Sequence, residues 1–184
     1  MQKDSSKNIT LVLGGVRSGK SNFAQNLVTS QGRVAFIATA EALDAEMKQR
    51  IARHQADRPA GWKTLEAPLD IENAILECSG KYDVVLVDCL TLWTANLMGA
   101  EGSDTERIFA RAARLCEALQ QVTASVVLVS NEVGCGVVPV SDDGRHYRDL
   151  LGGVNQRVAA VADTVLFLVA GYPMTVKDTA AAAL

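Results

Sequence analysis

Short apolar runs and longer amphipathic stretches take turns along this chain. Ile9 to Leu13 (ITLVL) is continuously apolar and runs into Gly14 and Gly15, the pattern of a strand buried on both faces. A helical stretch over 20–30 places Phe23, Ala24 and Leu27 on one face. Val34 to Ala38 (VAFIA) reads as a second strand, and Glu41 to Gln55 as a helix with Leu43, Met47, Ile51 and His54 along one stripe. Arg58, Pro59 and Gly61 break that helix, and Trp62 to Glu66 is a short extended piece. Leu69 to Cys78 reads as helix, Val84 to Val87 as a strand ending at Asp88, and Thr91 to Met98 as helix. Gly99 to Asp104 reads as loop, and Thr105 to Val122 as an amphipathic helix with Ile108, Ala112, Leu115 and Leu119 inward. Val126 to Val129 is a strand, Asn131 to Gly144 a glycine-rich loop, and His146 to Ala162 a helix interrupted at Gly152 and Gly153. Thr164 to Val169 is the last strand that the pattern yields. Strands alternating with helices predict one α/β domain over 1–184, with a mostly parallel sheet covered on both faces. Residues 1–8 and 178–184 read as flexible termini.

Composition narrows the class. With 184 residues, 48% apolar and 21% charged, the chain has enough apolar side chains for a core and too little charge bias for disorder. Eighteen basic against twenty-one acidic residues leave a net charge of −3, which argues against a general phosphate-backbone binder, since that job needs a basic stripe. No apolar run is long enough to span a bilayer, and MQKDSSKN has no signal-peptide core. These features predict a cytoplasmic protein. Cys78, Cys89, Cys116 and Cys135 form no C-x-x-C pair and read as reduced thiols, two or three of them buried. Neither His54 nor His146 has a partner at ligand spacing, so a structural zinc site is not expected.

The chemistry starts at residue 14. Gly14-Gly15-Val16-Arg17-Ser18-Gly19-Lys20-Ser21 fits G-x-x-x-x-G-K-[ST], between a buried strand and a helix. Glycines let the backbone wind so that successive N–H groups point at phosphate oxygens. The helix start adds its positive end. Lys20 can reach the β- and γ-phosphates, and the Ser21 hydroxyl can bind Mg²⁺. The match arises by chance in roughly 1% of chains of this length, and its strand-to-helix setting makes it rarer still, so the chain is expected to bind a nucleoside triphosphate or its products. Asp88, at the carboxyl end of VVLV, stands where a Walker B carboxylate stands and can contact Mg²⁺ beside Ser21. The competing reading of Asp88 is an N-cap for the helix that follows.

Neither N-K-x-D nor D-x-x-G occurs in a suitable position, which disfavours a GTPase switch. Arg145, Arg148 and Arg157 offer a loose version of the arginine-bearing lid found in small-molecule kinases. Asn131 and Glu132 follow a buried strand at the edge expected to carry Asp88, where they either bind substrate or fix the loop. Cys89 reads as packing, and His146 as a surface or helix-start residue.

Further patterns occur in order: A-T-A at 38–40, R-I-x-x-H-x-x-x-R-P-x-x-W at 50–62, T-x-E at 64–66 and D-C-L-T-x-W-x-x-N at 88–96. N-E-V-G-x-G-x-V-P at 131–139 and R-x-x-R-D-x-x-G-x-x-N-Q-x-x-A at 145–159 complete the set. Together with the loop at 14–21 they closely resemble the bifunctional adenosylcobinamide kinase / adenosylcobinamide-phosphate guanylyltransferase family of cobalamin biosynthesis, from about Leu11 to Lys177. The resemblance implies a RecA-like phosphate-loop sheet, a homotrimer and two reactions. ATP or GTP phosphorylates the aminopropanol hydroxyl of adenosylcobinamide, and GMP from GTP is then transferred to that phosphate through a guanylyl-histidine. It places GTP against Leu13, Gly14, Gly15, Val16, Arg17, Ser18, Gly19, Lys20 and Ser21, against Ala38, Thr39 and Ala40, and against Gln55, Ala56, Asp57, Arg58, Glu66 and Asp88. It gives His54 the nucleophile's role. Spacing alone reads His54 as a packed residue of its helix stripe. An ordinary imidazole, with a pKa of about 6.5, is mostly neutral at cytoplasmic pH and able to attack phosphorus. The rival readings are a plain phosphate-loop kinase of another small alcohol, with His54 structural, and a nucleotide sensor that turns nothing over.

Overall fold

The computed structural model of the chain describes residues 7–42, 45, 48, 49, 52, 59 and 61–179. Seven strands occur among them: β1 (Ile9–Gly14), β2 (Val34–Ala38), β3 (Lys63–Glu66), β4 (Val84–Asp88), β5 (Ser125–Asn131), β6 (Thr164–Val169) and β7 (Tyr172–Asp178). They form one sheet in the order β3-β2-β4-β5-β1-β6-β7. All neighbours run parallel except β6 and β7. The expected mostly parallel α/β sheet is therefore present.

The described helices are α1 (Lys20–Thr29), α2 (Ile71–Glu77), α3 (Leu90–Glu101), α4 (Thr105–Gln121) and α5 (Asp142–Val161). Strand alternation divides the core between the two faces of the sheet. Leu11, Ile37, Val85, Val87 and Leu128 point to one face, under Ile71, Ile75, Trp93, Leu115 and Val154 of the later helices. Val12, Phe36, Leu86, Val127 and Val129 point to the other, against Ala24 and Val28 of α1. The Trp62 ring stacks on Phe36 at that second face, with centroids 6.4 Å apart. Asp104 caps α4 by accepting hydrogen bonds from the N–H groups of Glu106 and Arg107, and Ser141 caps α5 by accepting from that of Gly144.

Three local expectations need correction. The helix after Asp88 continues to Glu101, so the loop there is only 102–104. Helix α5 starts at Asp142 and runs unbroken through Gly152 and Gly153. A Cβ on Gly153 would lie 2.5 Å from the Phe109 ring, so this glycine serves close helix packing and does not end the helix. Finally, β7 was absent from the sequence pattern. Its residues 172–176 are exposed and it carries Pro173, which the free edge of a sheet tolerates. Strand β7 reaches Asp178, the first residue of the expected flexible tail.

Candidate active site

The parallel register gathers the strand ends. Gly14 lies level with Asn131 of β5 and Leu168 of β6, and Ala38 lies level with Glu66 of β3 and Asp88 of β4. The motif residues at 14, 38, 66, 88 and 131 thus share the carboxyl edge, where α/β sheets take their ligands.

The loop at 14–21 closes tightly. A Cβ on Gly14 would meet Ser18 Oγ at 2.5 Å and the Leu168 carbonyl oxygen at 2.9 Å. Gly19 takes φ 91°, and Arg17 is left-handed at φ 58° in spite of its Cβ. The Ser18 N–H donates to the Gly15 carbonyl at 3.3 Å, and Lys20 Nζ folds back across the loop to the same oxygen at 3.0 Å. Helix α1 begins there with no side-chain cap, so its first N–H groups stay available for an anion. Val16 and Arg17 are exposed, and Ser21 is half-buried.

Asp88, half-buried, ends β4 just before α3. Thr39, fully buried, secures that junction. Its hydroxyl donates to the Cys89 carbonyl and accepts from the Cys89 N–H, both at 2.8 Å. Its own N–H donates to the Asp88 carbonyl at 3.3 Å, and its carbonyl accepts from Asn96 Nδ2 at 2.8 Å. The hydroxyl, N–H and carbonyl of Thr39 thus all fix the junction between β4 and α3. The other two residues of A-T-A, Ala38 and Ala40, are each half-buried. Burial, reinforced by the Asp88 carboxylate, pushes the Cys89 thiol up to about 11, which agrees with a packing role.

The end of β5 is held just as closely. The Asn131 N–H donates to Thr91 Oγ1 at 2.8 Å, Asn155 Nδ2 donates to the Asn131 carbonyl at 3.0 Å, and the Glu132 N–H donates to the Gly14 carbonyl at 3.1 Å. Glu132 Oε1 accepts from the N–H groups of Gly134 and Cys135, so this carboxylate holds the loop. Tyr147 donates its hydroxyl to the Thr91 carbonyl at 2.9 Å, and burial raises its pKa. Among the described residues, four buried side-chain oxygens at this edge have no hydrogen-bond partner: Ser18 Oγ, Ser130 Oγ, Asn131 Oδ1 and Asn155 Oδ1. An unpaired buried polar atom costs about 1–3 kcal/mol, so their gathering marks a place built for more than packing.

The three arginines that offer a loose lid are each held by nearby groups of the chain. Arg145 donates to the Pro139 and Val140 carbonyls, and Arg148 to the Gly134 carbonyl. Arg157 lies over the Phe109 ring, 3.7 Å from its centroid. His146, half-buried in α5, is within hydrogen-bonding distance of the Ser103 carbonyl at 3.0 Å. Glu66 is exposed at the end of β3. His54, Gln55, Ala56, Asp57 and Arg58 lie outside the described residues. The positions whose roles the sequence left unassigned are Thr91, Asn96, Tyr147 and Asn155. Thr91, Asn96 and Asn155 are fixed positions of the ordered motifs, whereas Tyr147 falls at a variable one and carries no such signal.

Among the described residues no group of three His, Cys, Asp or Glu side chains can hold a metal ion. The Ser21 hydroxyl and Asp88 carboxylate are hard oxygen donors at one edge. That pair fits Mg²⁺, which uses one or two protein ligands and completes its shell with waters and phosphate oxygens.

Sheet order, strand-to-helix glycine loop and its lysine together define a phosphate-loop α/β protein of the nucleotide-binding class. The family model described as cobinamide kinase / cobinamide phosphate guanyltransferase matches residues 10–176. The chain is 44% identical over 168 residues to the bifunctional adenosylcobalamin biosynthesis protein CobP of Pseudomonas aeruginosa, covering 91% of this chain and 96% of that protein. It is 40% identical to CobU of Salmonella typhimurium and 39% identical to CobU of Escherichia coli, each over 178 residues, 91% of this chain and 98% of theirs. Both are named bifunctional adenosylcobalamin biosynthesis proteins. The chain belongs to the cobinamide kinase / cobinamide phosphate guanyltransferase family of enzymes. No helix among the described residues is long and apolar enough to cross a membrane.

Proposed function

We propose that this chain phosphorylates the aminopropanol hydroxyl of adenosylcobinamide with ATP or GTP. It then transfers GMP from GTP to the new phosphate, giving adenosylcobinamide-GDP and pyrophosphate. The observation that carries the reading is the intact phosphate loop, Gly14 to Ser21, level with Asn131 at the carboxyl edge, in a member of this family.

In the first reaction the hydroxyl oxygen attacks the γ-phosphorus, the bond to the bridging oxygen breaks, ADP or GDP leaves, and the hydroxyl proton is lost to water. The loop N–H groups and Lys20 hold the phosphates and offset the charge that builds on them. In the second reaction the neutral imidazole of His54 attacks the α-phosphorus of GTP and pyrophosphate leaves. An oxygen of adenosylcobinamide phosphate then attacks that phosphorus, the P–N bond breaks, and the histidine is regenerated. Ala38, Thr39 and Ala40 flank the nucleoside, Glu66 accepts from its ribose or guanine edge, and Gln55, Ala56, Asp57 and Arg58 complete the GTP contacts. Ser21 and Asp88 hold Mg²⁺, which when bound neutralises phosphate charge. The same reading makes the protein a cytoplasmic homotrimer that binds neither nucleic acid nor a bilayer.

Incubation with GTP and adenosylcobinamide, with products separated by chromatography, tests this directly. The expected products are the phosphate ester and then the GDP ester. A phosphate ester alone leaves a plain kinase, and neither product leaves a sensor.

A further inference from the structure

One side-chain amide ties two of the candidate segments together. Asn96 Nδ2 donates to the Thr39 carbonyl at 2.8 Å and to the Pro68 carbonyl at 3.0 Å. An amide nitrogen carries two protons, so both are committed. The first acceptor lies in the Ala38–Ala40 segment after β2. The second lies two residues after Glu66, in the loop after β3. One helical turn earlier, Trp93 Nε1 donates to the Leu69 carbonyl at 2.8 Å, and the Ala67 N–H closes on the Ala38 carbonyl at 2.9 Å. Helix α3, which starts two residues after Asp88, therefore sets the spacing of Asp88, Ala38–Ala40 and Glu66 from a single rigid element.

We propose that Asn96 is a positioning residue for the nucleoside end of the bound nucleotide. The sheet order gives the distance. Strands sit about 4.8 Å apart, so β2 and β3, three and four places from β1, lie roughly 14 and 19 Å from the phosphate loop. With the phosphates held at Lys20, the segments that Asn96 joins meet the far end of the nucleotide. This rests on the proposed reading that Ala38, Ala40 and Glu66 contact GTP. Among the described residues the Asn96 amide donates to main-chain carbonyls and to no phosphate-loop group, so its loss loosens the grip on substrate while the reacting phosphates keep their partners.

The test is steady-state guanylyl transfer with GTP varied, using Asn96→Asp and Asn96→Ala in the full chain. Asn96→Asp keeps the shape and replaces both donors by an oxygen facing two carbonyls. Should it fail to accumulate as folded protein, Asn96→Ala carries the same test. The expected result is a KM for GTP raised about tenfold, the worth of one or two lost hydrogen bonds, with kcat within about twofold of wild type. Ile75→Val, a truncation in the core under α2, serves as the control for stability loss alone and should leave KM unchanged. A KM that stays at the wild-type value in both Asn96 variants, moves equally in Ile75→Val, or stays while kcat falls overturns the assignment. Lys20→Ala separates this from failure of the underlying reading. If wild type turns over GTP and Lys20→Ala does not, an unchanged KM in the Asn96 variants counts against Asn96 alone. If wild type shows no turnover of GTP, the reading and the positioning role fall together.

Discussion

The N–H of Gly171 donates to the carbonyl oxygen of Ser18 at 2.9 Å, joining the turn between β6 and β7 to the phosphate loop. Ala170 and Gly171 hold φ of 52° and 87°, the two positive angles of a tight hairpin turn. That turn presses on Gly19, where an added Cβ would lie 3.3 Å from Gly171 Cα. The edge hairpin therefore braces the loop from outside the run of parallel strands.

Gly19→Ala tests this bracing. The left-handed backbone alone costs a side-chain-bearing residue about 1–2 kcal/mol, and the contact with Gly171 adds to it. A fall of about 2–8 °C in Tm is expected for a domain of this size, together with weaker nucleotide binding. An added Cβ on Gly15 meets nothing within 4 Å, so Gly15→Ala should change stability by no more than about 0.5 kcal/mol. Equal melting temperatures for the two variants would remove the crowding argument.

Away from the site, Arg111 holds a buried charge network. Its guanidinium donates to Glu72 Oε1 at 2.7 Å, Glu101 Oε1 at 3.2 Å and the Leu69 carbonyl at 2.6 Å. The Glu72 side chain is only 8% exposed, and its second oxygen has no partner among the described residues. Arg111→Met strands that carboxylate and should lower stability by about 3 kcal/mol in urea denaturation. Glu72→Gln should cost less, and the double variant less than the sum of the two. Strict additivity would show that the pair is not coupled.

Acid stability has one identifiable contributor. Hydrogen bonds from the Arg33 side chain, and then from its backbone N–H, draw the Asp83 carboxyl down to about 2. A folded value below the ordinary carboxylate value of about 3.9 means that the stabilisation is complete above that pH and is lost as pH falls through about 2. Asp83→Asn should therefore give a flatter stability curve than wild type over this acid window. Both side chains are largely exposed, so added salt should shrink the difference. Identical slopes in low salt would sink the assignment.

Legibility in the sequence followed locality. ITLVL and VVLV were readable as strands because burial on both faces makes them continuously apolar, and the phosphate loop because eight consecutive residues contain all its determinants. Strand β7 carries apolar residues at alternate positions, Tyr172, Met174 and Val176, but Pro173 reads as a breaker and the apolar side chains are exposed, so the pattern marks no core face. Gly153 looked like a helix break because the residue that explains it, Phe109, is distant in sequence. The bonds between Thr39 and Cys89 are invisible in the sequence because 50 residues separate the two. The links from Asn96 to Thr39 and from Asn155 to Asn131 span 57 and 24 residues, so only the folded sheet brings them together.

Metal removal is the next check. With Ser21 and Asp88 as oxygen donors, activity should vanish in excess chelator and return with Mg²⁺ or Mn²⁺. An enzyme indifferent to chelation would take both residues out of that role.

The histidine separates the proposed bifunctional enzyme from a plain kinase. With GTP labelled at the α-phosphate, the protein should become covalently labelled and release pyrophosphate, because only displacement at the α-phosphorus leaves GMP behind. A P–N bond to imidazole should be lost in acid and survive alkali, unlike a serine ester or an acyl phosphate. Label at the γ-phosphate should not remain on the protein, since the kinase step passes it directly to the alcohol. His54→Ala should lose the label and guanylyl transfer while keeping measurable kinase activity. His146→Ala should keep both, because His146 faces the Ser103 carbonyl and not the phosphate loop. Label in the His54→Ala protein, or a bond that resists acid, would remove His54 from its role and leave the plain kinase as the better reading.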